Sequence, residues 1–461
     1  MMKNLVVGLI LIASVVSPSL HAAGQDSSQT SQSQKSPPVP PVYFDSLLNG
    51  LQILIVERPG PSDAVIGFTI KKGSAFDLVG KEGSADLLAR LVLRGSQTVN
   101  DRPLSQLFQE LDTKADVLVT LDMTRFTFQT PVKNLPYVFP ILAEILTRSV
   151  FPETDVTQVK QQRLAELRQA NQSLLAQAQA ECMKLIFARH PYARPVEGTA
   201  ATYETITPAD LSRHHRRFYL SNDSILTVVG NVSAQAVMQL IRPTFGAMRK
   251  GKVVPSTFVA PTPPTGIQIK LFDRPQMREA AICVGYLTRG RDADSYLPLV
   301  LLNQALVQLL QQSANAFAPE QVTITNSLNI HRLAGAVTIT ANAPARLGPT
   351  VLTNLFKMLE RAREISAPEL SATKSSLATH VAAQVQTHRQ LADQLQDIEL
   401  YGLARDYIVA FQQRLDQITL QQVKNVASDI LSTTNAHVVV IGPAAELAEP
   451  LKSVGTVELV K

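Results

Sequence analysis

Eight histidines and two cysteines bound the metal and nucleophile chemistry open to this chain. The histidines are His21, His190, His214, His215, His331, His380, His388 and His437, and no two stand at the i,i+4 spacing that puts two imidazoles on one helical face. There is no Cys-x-x-Cys pair. Cys182 and His190 are near each other in sequence, but two ligands do not make a metal site. A serine nucleophile would need a raised, strained turn, and no G-x-S-x-G elbow occurs; a triad assembled from distant segments stays open. No Gly-rich phosphate loop is present either. Cys182 and Cys283 fall in different halves of the chain. One disulfide is open to them in an oxidising compartment, while the simpler reading is two buried free thiols.

Composition narrows the partners. Net charge is +5 over 461 residues, there is no Trp, and aromatic residues are only 5%, which argues against base-stacking and sugar-binding surfaces. The densest basic run, Arg213-His214-His215-Arg216-Arg217, reads as a solvated helix face, so no nucleic-acid partner is expected.

The elements that must position these residues follow from patterning. Apolar residues at 45% and charged residues at 18% suit a globular protein with real cores. Leu5 to Val16 is an apolar run broken by Pro18, with small residues at Ala22 and Ala23, which predicts a cleaved secretory signal over 1–23 and a periplasmic mature protein. No other stretch approaches the roughly 18 apolar residues of a membrane span. A Gln/Ser/Pro-rich tether is expected over 24–43, a first domain over 44–250, a Pro-rich linker over 251–266 and a second domain over 267–461. The two domains read as a duplication. Ile418 and Gly442 each follow their counterparts Ile206 and Gly230 by 212 residues, too long a period for a solenoid. Leu51 to Val56, Val65 to Lys71, Thr124 to Pro131 and Ser224 to Val229 have strand patterns. Ser84 to Leu93, Asn134 to Ser149 and one long segment, Glu153 to Met183, have helical ones. Thr207 is placed to cap a further helix with Pro208 in its first turn. Interleaved strands and helices predict an α+β fold, two homologous domains, each a largely antiparallel sheet with helices packed on one face.

Several stretches taken together resemble the insulinase/pitrilysin-type zinc peptidases. They are Asn49-Gly50-Leu51 entering a strand, Lys72-Gly73-Ser74 with Asp77, the helix within Gly83 to Ser96, His190-Pro191-Tyr192, Gly198-Thr199 and Val228-Val229-Gly230. In the second half Asp273-Arg274-Pro275-Gln276, Tyr296 to Asn303 and Val438 to Gly442 fit the same family, so the resemblance runs over about residues 44 to 461.

That resemblance implies an inverted zinc motif, H-x-x-E-H, on the helix within Gly83 to Ser96, with a Glu on a later helix as third ligand. Two His on one face bind Zn²⁺, and the Glu between them takes a proton from the bound water. Here the three motif positions are Asp86, Ala89 and Arg90. Asp86 still offers oxygen, Ala89 cannot act as a base, and Arg90 carries a permanent cation with no lone pair for a metal. Glu166, 76 residues beyond Arg90, stands at the third-ligand position. Two readings of it are open: an ion pair with Arg90 where the metal stood, or a solvated helix residue. Two-chain members of the family also use a helper chain that supplies an Arg and a Tyr; the matching stretch, Leu309 to Ser327, has neither.

The chain is thus expected to lack catalysis and zinc of its own. The resemblance implies a subunit that pairs with a zinc-bearing homologue around a chamber admitting unfolded peptides. The alternative is a stand-alone peptide-binding or envelope scaffold protein, and the third reading is a peptidase with an unrecognised site.

Overall fold

The computed structural model describes residues 40–95, 103–170, 173–291, 293–313 and 322–460. The expected signal over 1–23 and residues 24–39 of the expected tether lie outside them. In chain order the first half holds β1 (Val42–Ser46), β2 (Gln52–Glu57), β3 (Asp63–Ile70), α1 (Ser84–Val92), α2 (Leu104–Glu110), β4 (Lys114–Val119), β5 (Thr124–Pro131), α3 (Leu135–Thr147), α4 (Glu153–Ala170), α5 (Leu174–Phe187), α6 (Ala200–Thr205), α7 (Pro208–Phe218), β6 (Ser224–Gly230) and α8 (Ala234–Phe245). The second half holds β7 (Ile267–Asp273), β8 (Glu279–Arg289), α9 (Tyr296–Ser313), β9 (Thr323–Ile330), β10 (Ala334–Pro344), α10 (Gly348–Arg363), α11 (Ala367–Ala383), α12 (His388–Tyr401), α13 (Phe411–Asp416), α14 (Leu420–Ile430), β11 (Ala436–Gly442), α15 (Ala444–Leu451) and β12 (Thr456–Val460).

Each half builds a six-stranded sheet, ordered β1-β2-β6-β3-β5-β4 and β12-β7-β11-β8-β10-β9. In both, the central pairings are antiparallel except one, β2 with β6 and β7 with β11. The duplication extends to the helix starts. Thr207 and Thr419 each close a reciprocal capping box, with Asp210 and with Gln422, and so satisfy orphan N–H groups at the same point in each repeat. The outer strands break the symmetry: β1 runs antiparallel to β2, while β12 runs parallel to β7.

One face of each sheet packs against helices of its own half, as an α+β domain requires. The two-residue alternation of a strand is visible in β2, where Ile53 and Ile55 face a core with Leu87, Leu91, Phe139 and Phe245, while Leu54 and Val56 face the opposite way. That opposite face is covered from the other half. Leu391, Ala392 and Leu395 of α12 lie on Leu54, Val56, Val65 and Val229 of the first sheet. Reciprocally, Ala178, Cys182 and Ile186 of α5, spaced four apart on one helical stripe, lie on Ala281, Cys283, Val439 and Ile441 of the second sheet. The halves thus exchange a helix, and each fully buried Leu in these seats contributes about 1.5–3 kcal/mol. Two glycines open the seats. A Cβ at Gly67 would overlap Gln396 Nε2, and one at Gly285 would lie 2.5 Å from both Cys182 Sγ and Ile186 Cδ1.

This exchange corrects the single long helix expected over Glu153 to Met183. Ser173 accepts a hydrogen bond from Ala176 N and starts a new helix, so the segment is α4 followed by α5, which leaves for the second sheet. Polar ties fix α12 as well. The buried Arg125 of β5 pairs with Asp397 at 2.5 Å and with Asp393 at 3.3 Å. Burial works against this guanidinium's charge, but the two carboxylates outweigh it and raise its pKa. Among the described residues no helix is long and apolar enough to cross a membrane.

Candidate functional site

The helix that carries the motif positions is held at its start from a distance. Gly83, at φ 92°, precedes α1 in a left-handed conformation that a side chain would strain. Asp77 Oδ2 accepts from Gly83 N at 2.9 Å and its Oδ1 from Ala85 N at 3.0 Å, so a side chain six residues upstream caps the helix. Burial pushes the Asp77 carboxyl up to about 8, against those two N–H groups. His214 of α7 stands 3.8 Å from it, and burial holds that imidazole down at about 3.

Asp86 and Arg90 project from one face of α1, one turn apart. Arg90 Nε donates to Asp86 Oδ1 and Oδ2 at 3.2 and 3.1 Å. Ala89 points elsewhere, fully buried in the first core. Across from α1, α4 brings Arg163. Its Nε stands 2.9 Å from Asp86 Oδ2 as an ion pair, with the N–H not aimed for a hydrogen bond. Arg163 Nη1 also donates to Glu166 Oε2, one turn along α4. Gln162 Nε2 donates to the other Glu166 oxygen at 3.2 Å, and Tyr203 of α6 donates its hydroxyl to Asp86 Oδ2 at 3.4 Å.

This corrects the direct Arg90–Glu166 pair. Glu166 takes Arg163 instead and Arg90 takes Asp86, so the four charges close as two carboxylates on two guanidiniums. Burial disfavours the Arg163 charge, but Asp86 outweighs it and raises its pKa. Burial disfavours the Glu166 charge too, yet the Arg163 hydrogen bond and charge, with Arg90 behind them, hold its carboxyl below the ordinary range. Burial, then Asp86, push the Tyr203 phenol up. Exposure runs in order across the cluster: the Arg163 side chain is 8% exposed, Arg90 34% and Glu166 42%.

These residues do not fit zinc. The one surviving oxygen donor on α1 is already bound by two guanidiniums, which repel a cation, and no base stands at Ala89. Among the described residues no three His, Cys, Asp or Glu side chains gather as a metal-ligand set. Cys182 and His190 are not brought together as a ligand pair: the thiol faces the second sheet, while His190 packs on Phe187, Tyr192 and Phe258. Arg163 and Tyr203 were not legible as site residues. The one signal for Arg163 was its place three residues before Glu166, on the same helical face. In the Leu309 to Ser327 stretch, residues 314–321 lie outside the described residues.

Residues 52–200 match the family model for insulinase (peptidase family M16), and residues 205–377 match that for the peptidase M16 inactive domain. The chain is 22% identical over 206 residues to an uncharacterized zinc protease of Rickettsia bellii, covering 45% of this chain and 50% of that one. It is 22% identical over 399 residues to an uncharacterized zinc protease of Mycobacterium bovis, covering 84% and 90%. It thus spans about half the length of the first of these relatives and nearly all of the second. A peptidase M16 inactive domain from Pseudomonas fluorescens superposes with a TM-score of 0.79 at 20% identity, covering 87% of this chain and 98% of that one. The periplasmic protease PqqL of Escherichia coli superposes with a TM-score of 0.72 at 18% identity, covering 89% of this chain but only 49% of PqqL.

Proposed function

Since this chain belongs to the insulinase family of peptidases, family M16, we propose that it is a non-catalytic subunit of an exported peptidase and pairs with a zinc-bearing homologue. The observation that carries the reading is the closed ion cluster of Asp86, Arg90, Arg163 and Glu166, at the positions where catalytic members hold zinc. A protein that has filled its metal position with two guanidiniums is adapted to a role without the metal. The match to about half of PqqL supports pairing, because that single chain is long enough for two units of this size. The partner then supplies zinc and cleavage, and this chain supplies one wall of the chamber. Its β4 strand lies beside α1 at the outer edge of the first sheet, where an unfolded peptide can add as a further strand. The expected signal over 1–23 and the periplasmic PqqL support placement in the periplasm.

The test is an affinity pull-down of the tagged mature chain from its native envelope. Recovery of a stoichiometric relative with an intact H-x-x-E-H motif, bearing zinc, is the expected result. Recovery of the chain alone, or with unrelated envelope proteins, would overturn the pairing and leave the stand-alone peptide-binding or scaffold role.

A further inference from the structure

The two cysteines are the only ones in the chain, and they meet where the halves exchange a helix. Cys182 is on the buried stripe of α5, and Cys283 is on the face of β8 that receives it; both are free thiols with no exposed surface. Cys182 Sγ lies 3.9 Å from the Cys283 carbonyl oxygen, to which the thiol donates. The missing side chain at Gly285, two residues along β8, leaves the space in which Cys182 Sγ sits. Ala178, Ala281, Ala336 and Val439 surround the pair. This is an apolar setting, with no metal-ligand set among the described residues.

From this geometry we infer that Cys182 and Cys283 are a disulfide site, which on oxidation staples α5 to the second sheet and locks the helix exchange. The pairing is unambiguous, since no third cysteine competes. The chemistry is a two-electron exchange with an external disulfide. One thiolate attacks that disulfide and releases its first thiol, leaving a mixed disulfide. The second thiolate attacks the mixed disulfide, forms the Cys182–Cys283 bond and releases the second external thiol. Burial raises the Cys283 thiol well above its ordinary value, so the reaction belongs to a state in which α5 is off the sheet, during folding or opening. The bond closes a chain separation of 101 residues between the halves, a long loop, and so restricts the unfolded chain strongly. The inference does not depend on the subunit role, and its outcome is read on the isolated chain.

The experiment refolds the full mature chain, first reduced and unfolded, with oxidised glutathione as the probe. Thiol titration and non-reducing peptide mapping should give no free thiol and one intramolecular link between the Cys182 and Cys283 peptides. The Tm should rise by about 5 °C over the reduced chain, reversibly with dithiothreitol. The Cys283→Ser variant should lose both the link and the redox dependence of Tm. Two free thiols, two separate glutathione adducts, or links between chains would each overturn the site. A link that forms without raising Tm would overturn the lock.

Discussion

In the non-catalytic role we propose, Asp86 is the residue on which the absence of a metal turns. It offers an oxygen donor, yet two guanidiniums hold it, and one of them, Arg163, lies outside the motif. The variant combining Asp86→His, Ala89→Glu and Arg90→His is expected to dialyse to well below one zinc per chain, because Arg163 still faces the site. Adding Arg163→Leu should bring elemental analysis close to one zinc per chain; equal zinc in both variants would count against this account. The helix around the motif positions is legible from its periodicity and the positions themselves only from the family resemblance; Arg163 is legible from neither, since nothing in its own segment says which helix α4 will face. Acid sensitivity also resides at single residues. Burial lowers the pKa of His190, His215 and His331, with His215 at about 4. A histidine depressed in the folded state contributes stability above its unfolded pKa of about 6.5, and that stability is lost as pH falls below it. Asp77 and His214 work in opposite directions, because a carboxyl raised to about 8 gains stability as pH falls while its neighbour loses it. The His215 contribution to unfolding free energy should therefore drop by about 1.4 kcal/mol between about pH 7.5 and 5.5, a loss that the Asp77 gain opposes in the whole protein. Urea titrations of wild type and His215→Phe check the share.

β2, β3, β5 and β6 and the helices α1 and α3 are readable from periodicity, and the start of α7 from Thr207 and Pro208. What periodicity leaves out is destination. The stripe of Ala178, Cys182 and Ile186 reads as one apolar face whichever sheet it meets, and the sheet it meets is in the other half. The break between α4 and α5 rests on the single cap at Ser173, inside a Gln/Ala-rich run that otherwise reads as continuous helix. The seat of α5 is also where the second sheet is most exacting. Gly285→Ala would drive a methyl into Cys182 Sγ and Ile186 Cδ1, at a cost of about 1–3 kcal/mol in thermal or urea unfolding. The same change at Gly60, with nothing within 4 Å, meets no such crowding, though its φ of 149° still carries backbone strain.

At the scale of the molecule, the exchange makes the halves mutually dependent despite their separate sheets and own-half cores. Residues 40–250 expressed alone lack α12, and residues 251–461 lack α5, so each fragment should aggregate or bind hydrophobic dyes. Co-expressed, they should co-purify as a stoichiometric complex, and soluble, cooperatively unfolding single fragments would contradict the dependence. Order of synthesis gives the same feature a cost in time. The first sheet is complete once Gly230 has emerged, but its cover, α12, ends only at Tyr401, 171 residues later. At about 5–20 residues per second the intervening chain takes roughly 10–30 s to make, and wherever the chain folds as it emerges Leu54, Val56, Val65 and Val229 stay uncovered until α12 has arrived. That interval is long enough for a holding chaperone to become a routine companion of biosynthesis, and a mutation that slows the second half would lengthen the exposure of the first.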